Sequence, residues 1–104
     1  MSDILVLTGS PRKNGNTRML ADAFVDGAAE GGLDVRVIHV AGLNIAPCQG
    51  CGYCQEHEGV CIQKDDMARI MPHLYSARTI VFATPVYYFA MSAQLKTALD
   101  RMYA

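Results

Sequence analysis

A chain of 104 residues has room for one domain, and a composition that is 51% hydrophobic and 18% charged predicts a packed core. The net charge of −1, with scattered basic residues, argues against a nucleic-acid partner, and no apolar run approaches the roughly 18 residues of a membrane-spanning helix. The amino-terminal residues lack the basic segment of a signal peptide, so we expect a cytoplasmic protein that binds no membrane.

The first predicted element is a buried strand, the unbroken apolar run from Ile4 to Leu7. Apolar residues without alternation are typical of a parallel strand that is covered on both faces. A helical pattern follows from about Asn16 to Glu30, and Gly31-Gly32 is predicted to end it. The residues expected on the buried stripe of this helix are Leu20, Ala23, Phe24, Gly27 and Ala28.

A polar loop joins this strand to this helix, from Thr8 to Thr17. A strand, a Gly-rich loop and a helix in this order aim backbone N–H groups at an anion. The loop adds hydroxyl, amide and cationic side chains, which suit a phosphate monoester. They are the hydroxyls of Thr8, Ser10 and Thr17, the amides of Asn14 and Asn16, and the cations of Arg12 and Lys13.

The phosphate loop matches neither of two common nucleotide motifs. Gly15 is followed by Asn16-Thr17 in place of the lysine and hydroxyl residue of a Walker A loop, and the Gly-x-Gly-x-x-Gly pattern is absent. Triphosphates and dinucleotides are therefore less suitable ligands than a mononucleotide. The alternative is a solvated loop in which Asn14 or Asn16 caps the helix.

The later elements continue the alternation of strands and helices. A second strand is predicted from about Asp34 to His39, and a third over Thr79–Ala83, with a helix of about Asp66 to Ser76 between them. Asp65 or Asp66 can cap that helix, and Pro72 is expected to kink it or to divide it into two pieces. Ser92 is predicted to cap a last helix.

This order predicts a parallel sheet with strands arranged 2-1-3, in a three-layer α/β/α domain that spans residues 1–104. Ligands of such sheets bind at the carboxyl ends of the strands, where the strand order reverses. The loops after the first and third strands would flank that point. The second of them, Thr84-Pro85-Val86-Tyr87-Tyr88-Phe89, is strongly aromatic, and Pro85 is expected to stiffen it.

Aromatic side chains on a stiff loop can flank a planar ring, as a flavin requires. The alternative is that these aromatics belong to the core. No Ser/His/Asp set and no pair of carboxylates stands out in the sequence, which favours chemistry carried out by a cofactor over chemistry carried out by side chains.

All four cysteines lie within a long stretch without periodicity, from Ala41 to Lys64. Their spacing is C-x2-C-x2-C-x6-C, which can supply four thiolates to one [4Fe–4S] cluster. A zinc site, with His57 as a substitute ligand, and a loop without any metal are the alternatives. The candidate ligands are Cys48, Cys51, Cys54 and Cys61.

Three segments resemble the NADPH-dependent FMN reductase family. They are Gly9-Ser10-Pro11-Arg12-x-x-Gly15-Asn16-Thr17, Thr84-Pro85-Val86-Tyr87-Tyr88, and the segment from Lys96 to Asp100-Arg101. The cysteine spacing followed by Asp65-Asp66-Met67 is similar to the iron-sulfur flavoprotein branch of that family.

The resemblance implies a flavodoxin-like fold and a set of site residues. Ser10, Arg12, Asn14, Asn16 and Thr17 would hold the FMN phosphate, while Pro85, Val86, Tyr87 and Tyr88 would line the isoalloxazine. Cys48, Cys51, Cys54 and Cys61 would ligate a [4Fe–4S] cluster.

The resemblance also implies a function. Electrons would pass from NAD(P)H or a ferredoxin-like donor, through FMN, to a small-molecule or protein acceptor. A non-enzymatic electron carrier or redox sensor, and a zinc-stabilised interaction domain, are the alternatives.

One departure from this family concerns length, since its fold has five strands and this sequence predicts three. The chain is then either a fragment or a short member that completes its sheet with another chain. Because the third strand would present an open, apolar edge, we expect a homo-oligomer, in the simplest case a dimer.

Overall fold

The computed structural model describes residues 3–104 and contains three parallel strands, ordered β2-β1-β3. This is the predicted strand order. The strands are β1 (Ile4–Thr8), β2 (Val35–His39) and β3 (Thr79–Ala83), and the helices are α1 (Asn16–Glu30), α2 (Tyr53–Glu56), α3 (Met67–Ser76) and α4 (Ala93–Arg101). None of the helices described is long and apolar enough to cross a membrane.

The three strands run in step, so that their carboxyl ends meet at one edge of the sheet. Ile4 pairs with Val35 and Thr79, and four residues later Thr8 pairs with His39 and Ala83. The backbone N–H of Gly9 then donates to the Ala83 carbonyl at 2.8 Å. The loops that follow β1 and β3 therefore leave the sheet side by side, as the strand order predicts.

The central strand β1 is buried along its whole length, because helices cover both of its faces. Leu5 and Leu7 pack in one cluster with Ile70 of α3 and Leu95 of α4. Ile4 and Val6 point to the other face, where they pack with Ala21 of α1. The predicted three-layer arrangement follows from this alternation of side chains across the strand.

The apolar stripe predicted for α1 is correct only at Ala28, which packs against the cluster of Ile4, Val6 and Ala21. The other four predicted residues are exposed: Leu20, Ala23, Phe24 and Gly27. Thr17 and Ala21 are the buried residues of the helix, whereas Leu20 is 72% and Phe24 40% exposed. Small side chains at the contact bring the helix close to the sheet. The larger side chains of Leu20 and Phe24 lie to one side of this contact, where they line a groove beside β3 together with Val81.

The helix ends are close to their predicted positions. α1 ends as expected, since Gly32 has φ +78° and its N–H donates to the Ala29 carbonyl at 3.0 Å. α3 is a single helix that contains Pro72, so the predicted division into two pieces does not occur. The N-cap residue of α3 is Asp66, as one of the two alternatives predicts, but its side chain forms no capping hydrogen bond. The carboxylate of the preceding Asp65 accepts the Met67 N–H at 3.1 Å.

Strand β3 lies where it was predicted but is only partly buried. Ile80 is 37% and Phe82 42% exposed, in contrast to the fully buried Leu5 and Leu7 of β1. Within residues 3–104 the strand pairs with β1 alone, so its outer edge is open.

Candidate functional site

The phosphate loop reaches α1 without an ordinary side-chain cap. Gly15 is the N-cap residue, and no side chain forms a capping hydrogen bond there. The predicted alternative, a cap by Asn14 or Asn16, is therefore not observed. The N–H groups of the first helical turn have no carbonyl partner four residues earlier in the helix, which makes them donors for an anion.

The predicted phosphate-binding residues surround this helix terminus. The Ser10 hydroxyl accepts the Arg12 backbone N–H at 3.2 Å, which tightens the loop. Thr17 is buried and lines the groove beside β3, while Arg12, Asn14 and Asn16 are exposed. The backbone is also close at Gly15, where an added Cβ would stand 3.2 Å from the Cβ of Arg12.

The aromatic loop after β3 forms a tight hairpin. The N–H of Tyr87 donates to the Ala90 carbonyl at 2.9 Å, and the N–H of Ala90 donates back at 3.1 Å. The two residues between them, Tyr88 and Phe89, have φ of 48° and 67°. This left-handed region is costly for residues other than glycine, and such residues concentrate at functional sites.

The side chains of this hairpin face outward. Tyr88 is 94% and Val86 78% exposed, and Tyr87 is 45% exposed, so these residues do not form core. Tyr88 and Phe89 contact each other edge to face, with ring centroids 5.5 Å apart. The alternative in which the aromatics pack inside the domain is wrong for the described residues, and a planar surface is available for a ligand.

Helix α4 joins the two loops. The Ser92 hydroxyl caps the helix by accepting the Leu95 N–H at 3.3 Å, as the sequence predicts. The Ser92 N–H donates to the Thr84 hydroxyl at 2.9 Å, at the base of the aromatic loop. Gly9 of the phosphate loop lies against Ser92, since a Cβ added at Gly9 would stand 2.5 Å from the Ser92 Oγ.

His39 contacts the start of the phosphate loop, a contact that the sequence did not predict. Its Nδ1 lies 2.6 Å from the hydroxyl oxygen of Thr8, the last residue of β1. Burial lowers the pKa of His39, and the positive charge of Arg18 lowers it further. The sequence signal that could have indicated this contact is that His39 is a polar residue at the end of β2, the strand beside β1.

The four cysteines line a single cleft, although they come from a loop with little regular structure. Cys48 and Cys51 are exposed and Cys54 and Cys61 are half-buried, and none forms a disulfide. The Sγ of Cys48 accepts the Gly50 N–H at 3.4 Å. Hydrogen bonds from N–H groups to sulfur are among the features that tune iron–sulfur clusters.

A buried ion pair closes the base of the cysteine loop. The Arg101 guanidinium donates to the Asp65 carboxylate at 2.7 Å and 3.0 Å, and to the Ala46 carbonyl at 2.8 Å. Asp65 in turn accepts the Ala46 N–H at 3.0 Å. The hydrogen bonds from Arg101 lower the pKa of Asp65 to about 2. The segments on either side of the cysteines are therefore held together by one pair.

The four thiols of the cleft are the type of donor that an iron–sulfur cluster requires. Within residues 3–104 no three His, Cys, Asp or Glu side chains converge closely enough to hold a single metal ion. Each thiolate of a [4Fe–4S] cluster binds a different iron, so its four sulfurs need not converge on one point. His57, the substitute zinc ligand, does not line the cleft and stacks on Tyr53 with ring centroids 3.6 Å apart.

Solved structures of known proteins share this fold. An NAD(P)H:quinone oxidoreductase from Methanothermobacter marburgensis superposes with a TM-score of 0.80 at 20% identity, over 99% of this chain and 54% of that one. RosB with a bound 8-demethyl-8-formylriboflavin-5'-phosphate intermediate gives 0.79 at 19% identity, over 99% and 42%. The domain is thus of the flavodoxin-like class.

Sequence comparison narrows this class to a family. Residues 2–104 match the NADPH-dependent FMN reductases, and the chain belongs to this family. It is 40% identical over 101 residues to an iron-sulfur flavoprotein of Archaeoglobus fulgidus, which is 97% of this chain and 51% of that protein. An iron-sulfur flavoprotein of Methanocaldococcus jannaschii is 38% identical over 98 residues, which is 94% of this chain and 50% of that protein. The chain spans about half the length of these relatives.

Proposed function

We propose that this chain is the FMN-binding portion of an NAD(P)H-dependent oxidoreductase. The observation that carries the proposal is the contact between Gly9 and Ser92, because it places the phosphate loop beside the base of the aromatic loop. One ligand can then contact both loops. A flavin mononucleotide matches them, since it combines a single phosphate with a planar ring system.

The proposed roles divide along the chain. The N–H groups of the first turn of α1 bind the phosphate, and Arg12 balances its negative charge. Ser10, Asn14, Asn16 and Thr17 add hydrogen bonds to the phosphate oxygens. The segment from Pro85 to Tyr88 lines the isoalloxazine. FMN, when bound, supplies hydride acceptance from a nicotinamide and onward electron transfer.

We further propose that the cysteine cleft holds a [4Fe–4S] cluster, which supplies single-electron transfer when bound. The shared cleft, the four thiols and the buried cation of Arg101 support this assignment. Helix α4 connects the cluster and flavin sites: Ser92 begins it beside the phosphate loop and Arg101 ends it in the cleft. At a rise of 1.5 Å per residue these two residues are about 13 Å apart along the axis.

An electron carrier without a nicotinamide site is the second candidate function. It is supported by the same two sites, because neither of them requires a substrate pocket of its own. Anaerobic purification with analysis of flavin, iron and sulfide tests the cofactors. Steady oxidation of NAD(P)H with added FMN and an electron acceptor then supports the enzyme, whereas bound FMN without such turnover supports the carrier.

Substitution of Arg12 tests the flavin assignment directly. Arg12→Ala should weaken FMN binding about tenfold or more, because it removes one charged partner of the phosphate. The quenching of FMN fluorescence on titration measures the dissociation constant. Arg69→Ala is the matched control, since Arg69 is exposed on α3 and pairs only loosely with Asp66 at 3.8 Å.

Each outcome of this titration has a separate meaning. A weakened Arg12 variant beside an unchanged Arg69 variant supports the phosphate loop as the FMN site. Equal affinity in the wild type and in the Arg12 variant would show that Arg12 points to solvent. A wild-type protein that binds no FMN contradicts the proposed function.

A further inference from the structure

One nitrogen of the Arg101 guanidinium forms no hydrogen bond within the described residues. The Arg101 side chain is 2% exposed, and two of its nitrogens are engaged by Asp65 and the Ala46 carbonyl. The third nitrogen, Nε, is buried and has no hydrogen-bond partner among the described residues. Leaving a charged donor unpaired in the interior costs free energy, so such an atom calls for an explanation.

The unused donor belongs to a residue of the cysteine cleft. Arg101 lines the cleft together with all four cysteines, and it comes from α4, far from them in sequence. The Cys61 thiol lies near enough to raise the pKa of the guanidinium, in addition to the larger effect of Asp65. The Nε–H group is thus available to sulfur, whose charge the cation would balance.

We propose that Arg101 is a positioning residue for the cysteine cleft and that its cation, partly balanced by Asp65, sets the reduction potential of a cluster held there. This inference rests on the cluster assignment proposed above. Asp65 fixes the plane of the guanidinium through two hydrogen bonds, and Nε–H is left as a donor for a sulfur of the cleft. A second, separate effect is that the pair ties Ala46 to the residues following Cys61.

The charge of the pair has a defined effect on the cluster. A cluster with four thiolates carries net negative charge, and reduction adds one further negative charge. A nearby cation therefore stabilises the reduced form, and a nearby anion destabilises it. Because Asp65 and Arg101 are at most 10% exposed, solvent screens these interactions weakly.

Two substitutions distinguish an effect of the charges of Arg101 and Asp65 on the potential from a structural role of the pair. Arg101→Gln removes the cation and leaves the Asp65 carboxylate, so the midpoint potential of the cluster should become more negative. Asp65→Asn keeps the cation and removes its counter-charge, so the potential should become more positive. Both variants break the same pair, and a merely structural role would shift both potentials in the same direction.

The measurement is a redox titration of the reconstituted protein, followed by the visible absorbance of the cluster or by electron paramagnetic resonance. Arg69→Gln is the matched control, because it removes one positive charge from the exposed surface of α3. Its potential should equal that of the wild type. FMN affinity, measured on the same samples, reports whether each variant is folded.

Arg101→Lys keeps the test decisive if Arg101→Gln does not retain the cluster. A retained cluster with a potential near the wild-type value supports the role of the cation, and a lost cluster in the folded Lys variant overturns it. Shifts of the same sign in Arg101→Gln and Asp65→Asn also overturn the inference, while the proposed cluster stands. A folded wild type that binds FMN but assembles no cluster contradicts the cluster assignment, and the inference with it.

Discussion

Gly9 and Ser92 are in direct contact, and this contact joins the phosphate loop to the first turn of α4. A Cβ at Gly9 would stand 2.5 Å from the Ser92 oxygen and 2.7 Å from the Leu95 Cβ, both of which belong to buried residues. Ser92 and Leu95 could make room for this Cβ only if the start of α4 moved. A glycine is thus required here by close approach of two elements.

Gly9→Ala should destabilise the domain by about 1–3 kcal/mol, because the added methyl group overpacks a filled site. FMN binding should weaken as well, since the two loops are pushed apart. Urea unfolding and FMN titration measure the two effects. Gly27→Ala is the control: a Cβ at Gly27 meets nothing within 4 Å, and alanine in a helix interior should stabilise the protein by roughly 0.5–1 kcal/mol. Equal stability of Gly9→Ala and the wild type would refute the contact.

Tyr88→Gly should separate stability from function. Tyr88 has φ 48° and is 94% exposed, so glycine relieves backbone strain and loses almost no packing. We expect the free energy of unfolding to rise by about 1 kcal/mol, and the affinity for FMN to fall because a ring wall is lost. Tyr88→Ala is the comparison, since it removes the ring without the same relief of strain. Unchanged FMN affinity in both variants would place Tyr88 outside the ring site.

The ion pair of Asp65 predicts a stability change in acid. Arg101 lowers the pKa of Asp65 from 3.8 to about 2, so the ionised carboxylate is favoured in the folded state. Its contribution, on the order of 2 kcal/mol, is fully present above pH 4 and is lost as pH falls through 2. Urea unfolding of the wild type and Asp65→Asn between pH 5 and about 2 should give curves that converge in acid.

Asp100→Asn is the matched control for that pH series. Asp100 pairs with Lys96 on the exposed face of α4, where solvent screens the pair. Its difference from the wild type should stay small across the whole range. A constant difference between the wild type and Asp65→Asn would contradict the lowered pKa.

Cys51→Ala should abolish the cluster and spare the flavin. Cys51 is exposed in the cleft, so its loss removes a ligand without opening a cavity in the core. The absorbance of the cluster and the content of iron and sulfide should fall to background, while bound FMN is unchanged. His57→Ala should leave the cluster intact. Stoichiometric zinc in the wild type, lost in either variant, would favour the zinc alternative instead.

The expected homo-oligomer and cytoplasmic location stay predictions. The open edge of β3, with Ile80 and Phe82 partly exposed, is consistent with a further strand beside it. Light scattering of the purified protein measures the mass of the assembly.

Sequence alone determined the three strands, the three longer helices and their order, but not the short helix α2 within the cysteine loop. The bounds of α1 and β3 coincide with their predicted ranges, because a polar loop, a glycine pair and an unbroken apolar run mark them locally. The 2-1-3 order followed from parallel connections of one hand. The polar, Gly-rich loop after β1 and the aromatic loop after β3 could also be recognised from the sequence, since their residue types are unusual in any fold.

Only the tertiary structure decided which faces and which distant residues meet. Periodicity placed Leu20 on the buried stripe of α1, but packing against the sheet selected Ala21, because a small side chain permits a closer approach. Nothing local indicated that Arg101 reaches Asp65, or that Gly9 lies against Ser92. Such contacts between residues far apart in sequence depend on how the helices pack on the sheet. One of them brings together the two loops of the proposed flavin site, and the other holds the ends of the cysteine loop together.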